Sequence, residues 1–343
     1  MPETREQAVG LMVGDGPMIV GGRTVDDKIL DTIIQFDNST AQWETIGRLT
    51  RPRANASGVT LHDGSVLLAA GFTSTDEDEE SIILSRKTSE RFGPTGVGLV
   101  SAEMQSEYYL LRTLTTLVDG RVLLVGGRDR FRENEPSDVE VYSPETNVWN
   151  PTSPLPESRG SHGATLLRDG RVLITGGQDV GNHAMATTLL YDPVTNQWNG
   201  VGNLSEARVC HSATLLLDGS VLVAGGVDDS SNYLRSAELF DSASGRWRNV
   251  ANMPSARSGH GAAPLSNGRV LLLGGGTGDT SETAVVLSTT VLYDPKTDTW
   301  VEGPSLPAAR YGALVLSNEE SIYVIGGYDE NSQPTDTVFR LDR

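Results

Sequence analysis

A Gly-Gly pair closing a short apolar run recurs at Gly21, Gly126, Gly176, Gly225, Gly274 and Gly326, with Ala70-Gly71 as a seventh, degraded copy. The copies stand 49 to 56 residues apart, and a self-similar period of that length restricts a chain to arrays of one repeated supersecondary unit. Ahead of most copies sits a two-residue turn: Asp15-Gly16, Asp63-Gly64, Asp119-Gly120, Asp169-Gly170, Asp218-Gly219 and Asn267-Gly268. Both central residues of a type I′ hairpin need positive φ, which these dipeptides supply with little strain. The flanking segments, 164–168 and 171–175 for example, are rich in strand-forming residues and read as paired strands.

A second signature follows five of the seven copies. An aromatic precedes a tryptophan by seven residues in Phe36/Trp43, Tyr142/Trp149, Tyr191/Trp198, Phe240/Trp247 and Tyr293/Trp300, with a turn such as Asp-Pro-x-Thr between them. Four short strands per unit, seven units and no helical period describe an all-β, seven-bladed β-propeller in one domain spanning 1–343. Single blades cannot bury their faces alone, so neighbours must stack. Blade 2 has Leu99 in place of the tryptophan and carries an acidic run at 76–80, read as a solvated loop. Blade 7 reaches Leu341-Asp342-Arg343 with no tryptophan segment behind it, and the seven residues before blade 1 are too short to replace one. Blade 7 is therefore expected to lack its outermost strand.

Gly-Gly followed by Tyr-Asp-Pro-x-Thr-x-x-Trp, at this spacing over essentially the whole chain, resembles the kelch repeat. The Asp-Gly-Arg-Val-Leu-x-x-Gly-Gly wording is especially similar to the propeller of galactose-oxidase-like proteins. The resemblance implies that the strand after each repeated arginine lines a central channel and that the tryptophan strand is outermost. The glycines, tyrosines and tryptophans of the motif are then framework.

Ten residues beyond each tryptophan stand Arg53, Arg159, Arg208, Arg257 and Arg310; backward alignment puts Arg5 at the same place in blade 1. Three residues further come His162, His211 and His260, with Arg112 in blade 3, Ala56 in blade 2 and either Tyr311 or Ala313 in blade 7. Arg23, Phe72, Arg128, Gln178, Val227, Gly276 and Tyr328 directly follow the Gly-Gly pairs. Blade 3 breaks the pattern with Tyr108, Tyr109 and Arg112 together. Such positions often serve packing in kelch repeats, bonding arginine and histidine to neighbouring blades or backbone carbonyls. Taken as a ring around one mouth, they would instead focus positive potential and suit an anionic ligand. In kelch substrate adaptors of ubiquitin ligases, arginines at similar positions grip acidic peptides.

The chain as a whole carries a net charge of −18, which disfavours nucleic acid and anionic membranes as partners. Only three of its 27 basic residues are lysine, a bias that base composition or a use for bidentate guanidinium groups would produce. No run of eighteen apolar residues occurs, so no transmembrane helix is expected, and the acid-bearing N-terminus does not read as a signal peptide. A single cysteine, Cys210, excludes a disulfide framework and suits a reducing compartment, so a cytoplasmic location is expected.

Copper-radical oxidation, suggested by the galactose-oxidase likeness, is not expected. The pairs Ser161-His162, Cys210-His211 and Gly259-His260 lack the tyrosine that chemistry places before its histidine. A metal held by the three histidines is disfavoured against histidines bonded between blades. The iron motif of plant specifier proteins fails because Thr175 stands where its acid belongs, although Asp179 and His183 match its end. Cys210 is read as a small buried residue, and no cofactor is expected. Two function classes remain. The first is a cofactor-independent isomerase, mutarotase or cyclase acting on a small carboxylate, with Arg53, Arg112, Arg128, Arg159, Arg208, Arg257, Arg310, His260, Tyr108 and Tyr311 binding and His162, His211 and Tyr109 moving protons. The alternative is a non-catalytic module docking an acidic segment of a partner. Interaction kelch proteins usually carry a recruiting domain, which is not seen here, and this turns the expectation toward the small molecule.

Overall fold

The computed structural model describes residues 1–73, 87–96, 98–106, 112–127, 138–278 and 284–343. Every sheet is antiparallel, and the arrangement is the expected seven-bladed β-propeller. Two compact units divide the chain, Met1–Gly160 with blades 1 to 3 and Ser161–Arg343 with blades 4 to 7. In blade 5, the inner strand Ser212–Leu215 leads through Asp218-Gly219 to the fully buried Val221–Ala224, then to Ala237–Asp241 and the outer Arg246–Asn249. Blade 6 repeats this order with Gly261–Pro264, Val270–Leu273, Thr290–Asp294 and Thr299–Glu302. The second strands are apolar on both faces because each lies between two neighbouring sheets.

The aromatic–tryptophan pairs are directly opposed cross-strand residues. Tyr293 faces Trp300, and their ring centroids lie 4.8 Å apart. The other four pairs are built alike, with separations up to 5.4 Å for Phe36 and Trp43. Tilted rings at such distances add stability beyond the area they bury. In blades 3, 4 and 6 the tyrosine hydroxyl also bonds the turn before the tryptophan, as from Tyr191 to Asn196 Oδ1 at 3.0 Å. Blade 2 builds its outer strand, Gly98–Glu103, without the tryptophan.

The Gly-Gly pair is a joint between blades. Gly225 has φ +64°, and a Cβ there would stand 2.3 Å from the Arg257 carbonyl oxygen of the next blade. That same oxygen accepts the N–H of Gly226 at 2.9 Å. The joint recurs from Gly22 to Arg53, Gly127 to Arg159, Gly177 to Arg208 and Gly275 to Arg310. Glycine is thus required twice over, by backbone sign and by close approach.

Blade 7 has three strands, Leu314–Ser317, Ser321–Ile325 and Val338–Asp342, the last paired on one side only among the described residues. At the N-terminus, Glu6 bridges Arg23 in blade 1.

Candidate functional site

The repeated arginines lie inside the blades. Arg53, Arg159, Arg208 and Arg257 are at most 1% exposed, and Arg310 is 5% exposed. Arg208 donates to the Gly225 carbonyl at 2.8 Å, to Ser236 Oγ at 3.1 Å and to Glu238 Oε1 at 2.9 Å. Arg257 reaches the Gly274 and Thr289 carbonyls at 3.0 and 3.2 Å, and Arg53 reaches the Ala70 carbonyl, Thr88 and Glu90. Arg5 makes the same contacts with Gly21 and Thr32 in blade 1. Arg159 pairs with Glu157, and Arg310 bonds Thr337 and stacks over Phe339. The guanidiniums of Arg5, Arg53, Arg208 and Arg257 therefore tie the end of their blade's second strand to the start of the third. Burial pushes Arg257 down to about 10, so it stays charged near neutrality. These arginines are not open to a ligand, and the expected anion-binding ring is corrected to a set of internal clamps.

The histidines also bind blades together. His211 Nε2 is 2.9 Å from Thr175 Oγ1 of blade 4, and His260 Nε2 is 3.0 Å from Ser212 Oγ of blade 5. Burial holds both pKa values at about 3, with Arg208 adding to the shift of His211 and Arg257 to that of His260. Neutral imidazoles with such pKa values cannot relay protons near pH 7. This corrects the acid–base role given to His211. His162 is buried. Arg112 stands at the histidine position of blade 3 and donates 2.6 Å to the Asn55 carbonyl of blade 2, a further joint between blades. Ala313 fills that position in blade 7, since Tyr311 pairs with Tyr328 one step earlier, as Val209 does with Val227. Tyr108, Tyr109, Arg128 and the acidic run at 76–80 lie outside the described residues.

Once the arginines and histidines are assigned to the frame, a cluster on blades 5 to 7 stands out. Tyr311 and Tyr328 exchange backbone hydrogen bonds of 2.9 and 2.8 Å. The Tyr311 ring lies over Gly259, where a Cβ would meet its Cε2 at 2.5 Å, and it flanks Gly276 together with Tyr233. All three tyrosines are partly exposed. Cys210 borders them and is exposed, correcting its reading as a buried residue; it sits at φ +53° in the turn before the inner strand. Burial pushes the Tyr311 phenol up to about 12, with Cys210, Tyr233 and Tyr328 adding to the shift. The surface is aromatic, hydroxyl-bearing and uncharged near neutral pH.

The loops beside it are acidic. Asp228, which follows Val227, and Asp329, which follows Tyr328, each cap their own loop by accepting two backbone N–H groups. Asp229 and Glu330 come next in the same loops. A hollow of about 560 Å³ lies by the Asp-Gly turns of blades 2 and 3, but its arginines are tied to carboxylates, Arg91 to Asp63 and Arg121 to Asp119. Among the described residues no group of three or more His, Cys, Asp or Glu side chains could hold a metal ion; Asp179 and His183 only pair with each other.

A propeller of Gly-Gly-jointed blades with internal arginine clamps is a kelch-repeat protein. Residues 112–327 match the family model of the KLHDC2/KLHL20/DRC7 Kelch-repeats domain, and the chain belongs to the kelch-repeat family. Human Kelch-like protein 15 is 26% identical over 189 residues, covering 52% of this chain and 31% of that protein. Mouse Kelch-like protein 36 is 28% identical over 166 residues, 47% of this chain and 25% of that protein. The matches thus span less than a third of these curated relatives. Among solved structures, a fungal alcohol oxidase of the AA5 family in complex with copper aligns with a TM-score of 0.76 at 17% identity, covering 100% of this chain and 75% of the other. YjhT aligns with a TM-score of 0.60 at 14% identity, covering 100% and 98%. At these identities the structural likeness concerns the fold alone.

Proposed function

We propose that this chain is a docking module that holds an extended, neutral-to-basic segment of a partner protein on the Tyr233–Tyr311–Tyr328 surface. The kelch propeller fold supports a binding or interaction module as a class. The observation that carries the finer reading is the Tyr311 ring over Gly259, partly exposed beside Tyr233 and flanked by loops bearing Asp228, Asp229, Asp329 and Glu330. Tyrosines present large rigid area at low entropic cost, and a guanidinium or ammonium gains from both ring faces and nearby carboxylates. The net charge of −18 acts in the same direction at long range, against the acidic segment of the alternative reading. The arginines and histidines of the small-carboxylate reading that lie among the described residues are used internally by the fold, while its Tyr108, Tyr109 and Arg128 lie outside them.

The test is peptide selection from a displayed random library on the intact chain, followed by affinity measurement on wild type, Tyr311→Ala and Tyr233→Ala. Selected peptides should be neutral or rich in Arg and Lys, and each variant should weaken them at least ~10-fold, as expected of aromatic anchors. Enrichment of acidic peptides, or affinities indifferent to both substitutions, overturns the reading.

A further inference from the structure

The turn that joins the first two strands is built alike in blades 2 to 6. The residue before its glycine accepts, through Oδ1, the N–H two positions on. Asp63 takes that of Ser65 at 3.0 Å, Asp119 that of Arg121 at 3.1 Å, Asp169 that of Arg171 at 3.1 Å, Asp218 that of Ser220 at 2.9 Å and Asn267 that of Arg269 at 3.1 Å. Of these five turns, only that of blade 6 uses asparagine. Where serine follows the glycine, its hydroxyl also bonds Oδ1. Where arginine follows, Oδ2 is used: Arg121 Nε donates to Asp119 Oδ2 and Arg171 Nε to Asp169 Oδ2, each at 2.8 Å.

Blade 6 has the arginine without the acid. Arg269 stands where Arg121 and Arg171 stand, half-buried, and among the described residues its guanidinium has no partner. With Oδ1 of Asn267 bonded as in the sister turns, its NH2 group takes the place of their Oδ2. That group is a donor, and so is every guanidinium nitrogen, so the two do not bond. Asn267 is exposed to water, and Gly268 follows it at φ +87° with no Cβ to screen its nitrogen. The chain's other Asn-Gly pair, Asn199-Gly200, lies inside the paired strand Gln197–Asn203.

We propose that Asn267 is a site of spontaneous deamidation, and that the aspartate it forms completes with Arg269 the ion pair already present in blades 3 and 4. The Gly268 N–H donates to the Leu265 carbonyl at 2.9 Å, a bond that opens when this exposed hairpin tip frays. The freed Gly268 nitrogen attacks Cγ of Asn267, whose carbonyl the Arg269 N–H polarises. The Cγ–Nδ2 bond breaks, the Gly268 proton leaves with that nitrogen as ammonia, and a succinimide remains. Water then opens the ring, with no oxidation or reduction. Opening at Cγ gives aspartate. Opening at the backbone carbonyl gives isoaspartate, whose extra main-chain methylene disturbs the adjoining Pro264–Val270 pairing. The site lies at the other end of the strands from the tyrosine surface and does not rest on the docking reading.

The test holds the intact protein at mildly alkaline pH and follows each asparagine by peptide mapping and mass spectrometry. Asn267 should lose its amide ahead of Asn199, which its strand holds. The aspartate product is isolated as Asn267→Asp, with Asn267→Gln as the neutral control. Asn267→Asp should raise the folding equilibrium constant ~2–5-fold over wild type, the range of an exposed ion pair, read from urea unfolding. A double-mutant cycle with Arg269→Ala should abolish that gain. Protein carrying isoaspartate, separated by ion exchange, should unfold at lower urea than wild type. Retention of the Asn267 amide, conversion of Asn199 first, no gain in Asn267→Asp, or a gain that survives Arg269→Ala overturns the proposal.

Discussion

His211 and His260 make stability depend on pH in a calculable way. Both have folded pKa values of about 3 against 6.5 for an ordinary imidazole, first because burial penalises the charged form and then through Arg208, His260 and His162 around the one and Arg257 beside the other. The folded state thus keeps both neutral, while the unfolded chain takes up protons below its own pKa. More protons bound by the unfolded state means that stability rises with pH, so the contribution is complete above 6.5 and is lost as pH falls toward 3. Between about pH 7.5 and about pH 5, each histidine should remove about 2 kcal/mol, and the pair about 4 kcal/mol. Carboxylates with depressed pKa values act mainly below that window. The assay is urea unfolding across this range for wild type and for a His211→Gln, His260→Gln double variant, whose amides can still bond Thr175 and Ser212. The double variant should be less stable at neutral pH, and its stability should fall far less on acidification. Equal pH slopes in the two proteins would refute the buried-neutral assignment.

Other substitutions test the frame. Gly225→Ala forces a Cβ onto the Arg257 carbonyl at φ +64° and should cost at least ~1–2 kcal/mol in thermal or urea unfolding. Ala70, which adopts φ +56° at the degraded copy of the motif, should give the opposite sign, Ala70→Gly gaining up to ~1 kcal/mol. Glu238→Gln leaves the Arg208 guanidinium buried beside a neutral amide and should destabilise by ~3 kcal/mol, read from the urea midpoint. Gly259→Ala should push Tyr311 aside and weaken selected peptides at least as much as Tyr311→Ala does.

Much of the fold was legible because backbone requirements leave residue signatures. Positive φ at Gly64, Gly120, Gly170, Gly219 and Gly268 and at the Gly-Gly joints calls for glycine. The Asp or Asn before each of those five turn glycines does not adopt positive φ, so the turns are not the type I′ form expected. The tryptophan pairs mark the last hairpin of five blades. The arginines were found at the right positions, but their role was misassigned. A residue repeated in most of the blades serves what those blades share, here the carbonyls at the end of the second strand. The signal was present in Thr88-Ser89-Glu90 and Ser236-Ala237-Glu238, where a hydroxyl and an acid two residues later form the receiving pocket. Tyr311 was named for the wrong reason, as a possible substitute for histidine. Tyr233 was missed because it comes from a loop seven residues beyond its Gly-Gly pair, and its approach to Gly276 depends on how blades 5 and 6 pack. Such convergence of loops from different repeats has no linear spacing to read.

The most direct test of the docking surface is amide hydrogen exchange on the intact chain, with and without a selected peptide. Protection is expected at residues 209–211, 227–233, 258–260, 275–278, 310–313 and 327–334, the segments that carry Cys210, Tyr233, Gly259, Gly276, Tyr311 and Tyr328 or flank them. Protection confined to the Asp-Gly turns at the other end of the strands, with these loops unchanged, would contradict the account.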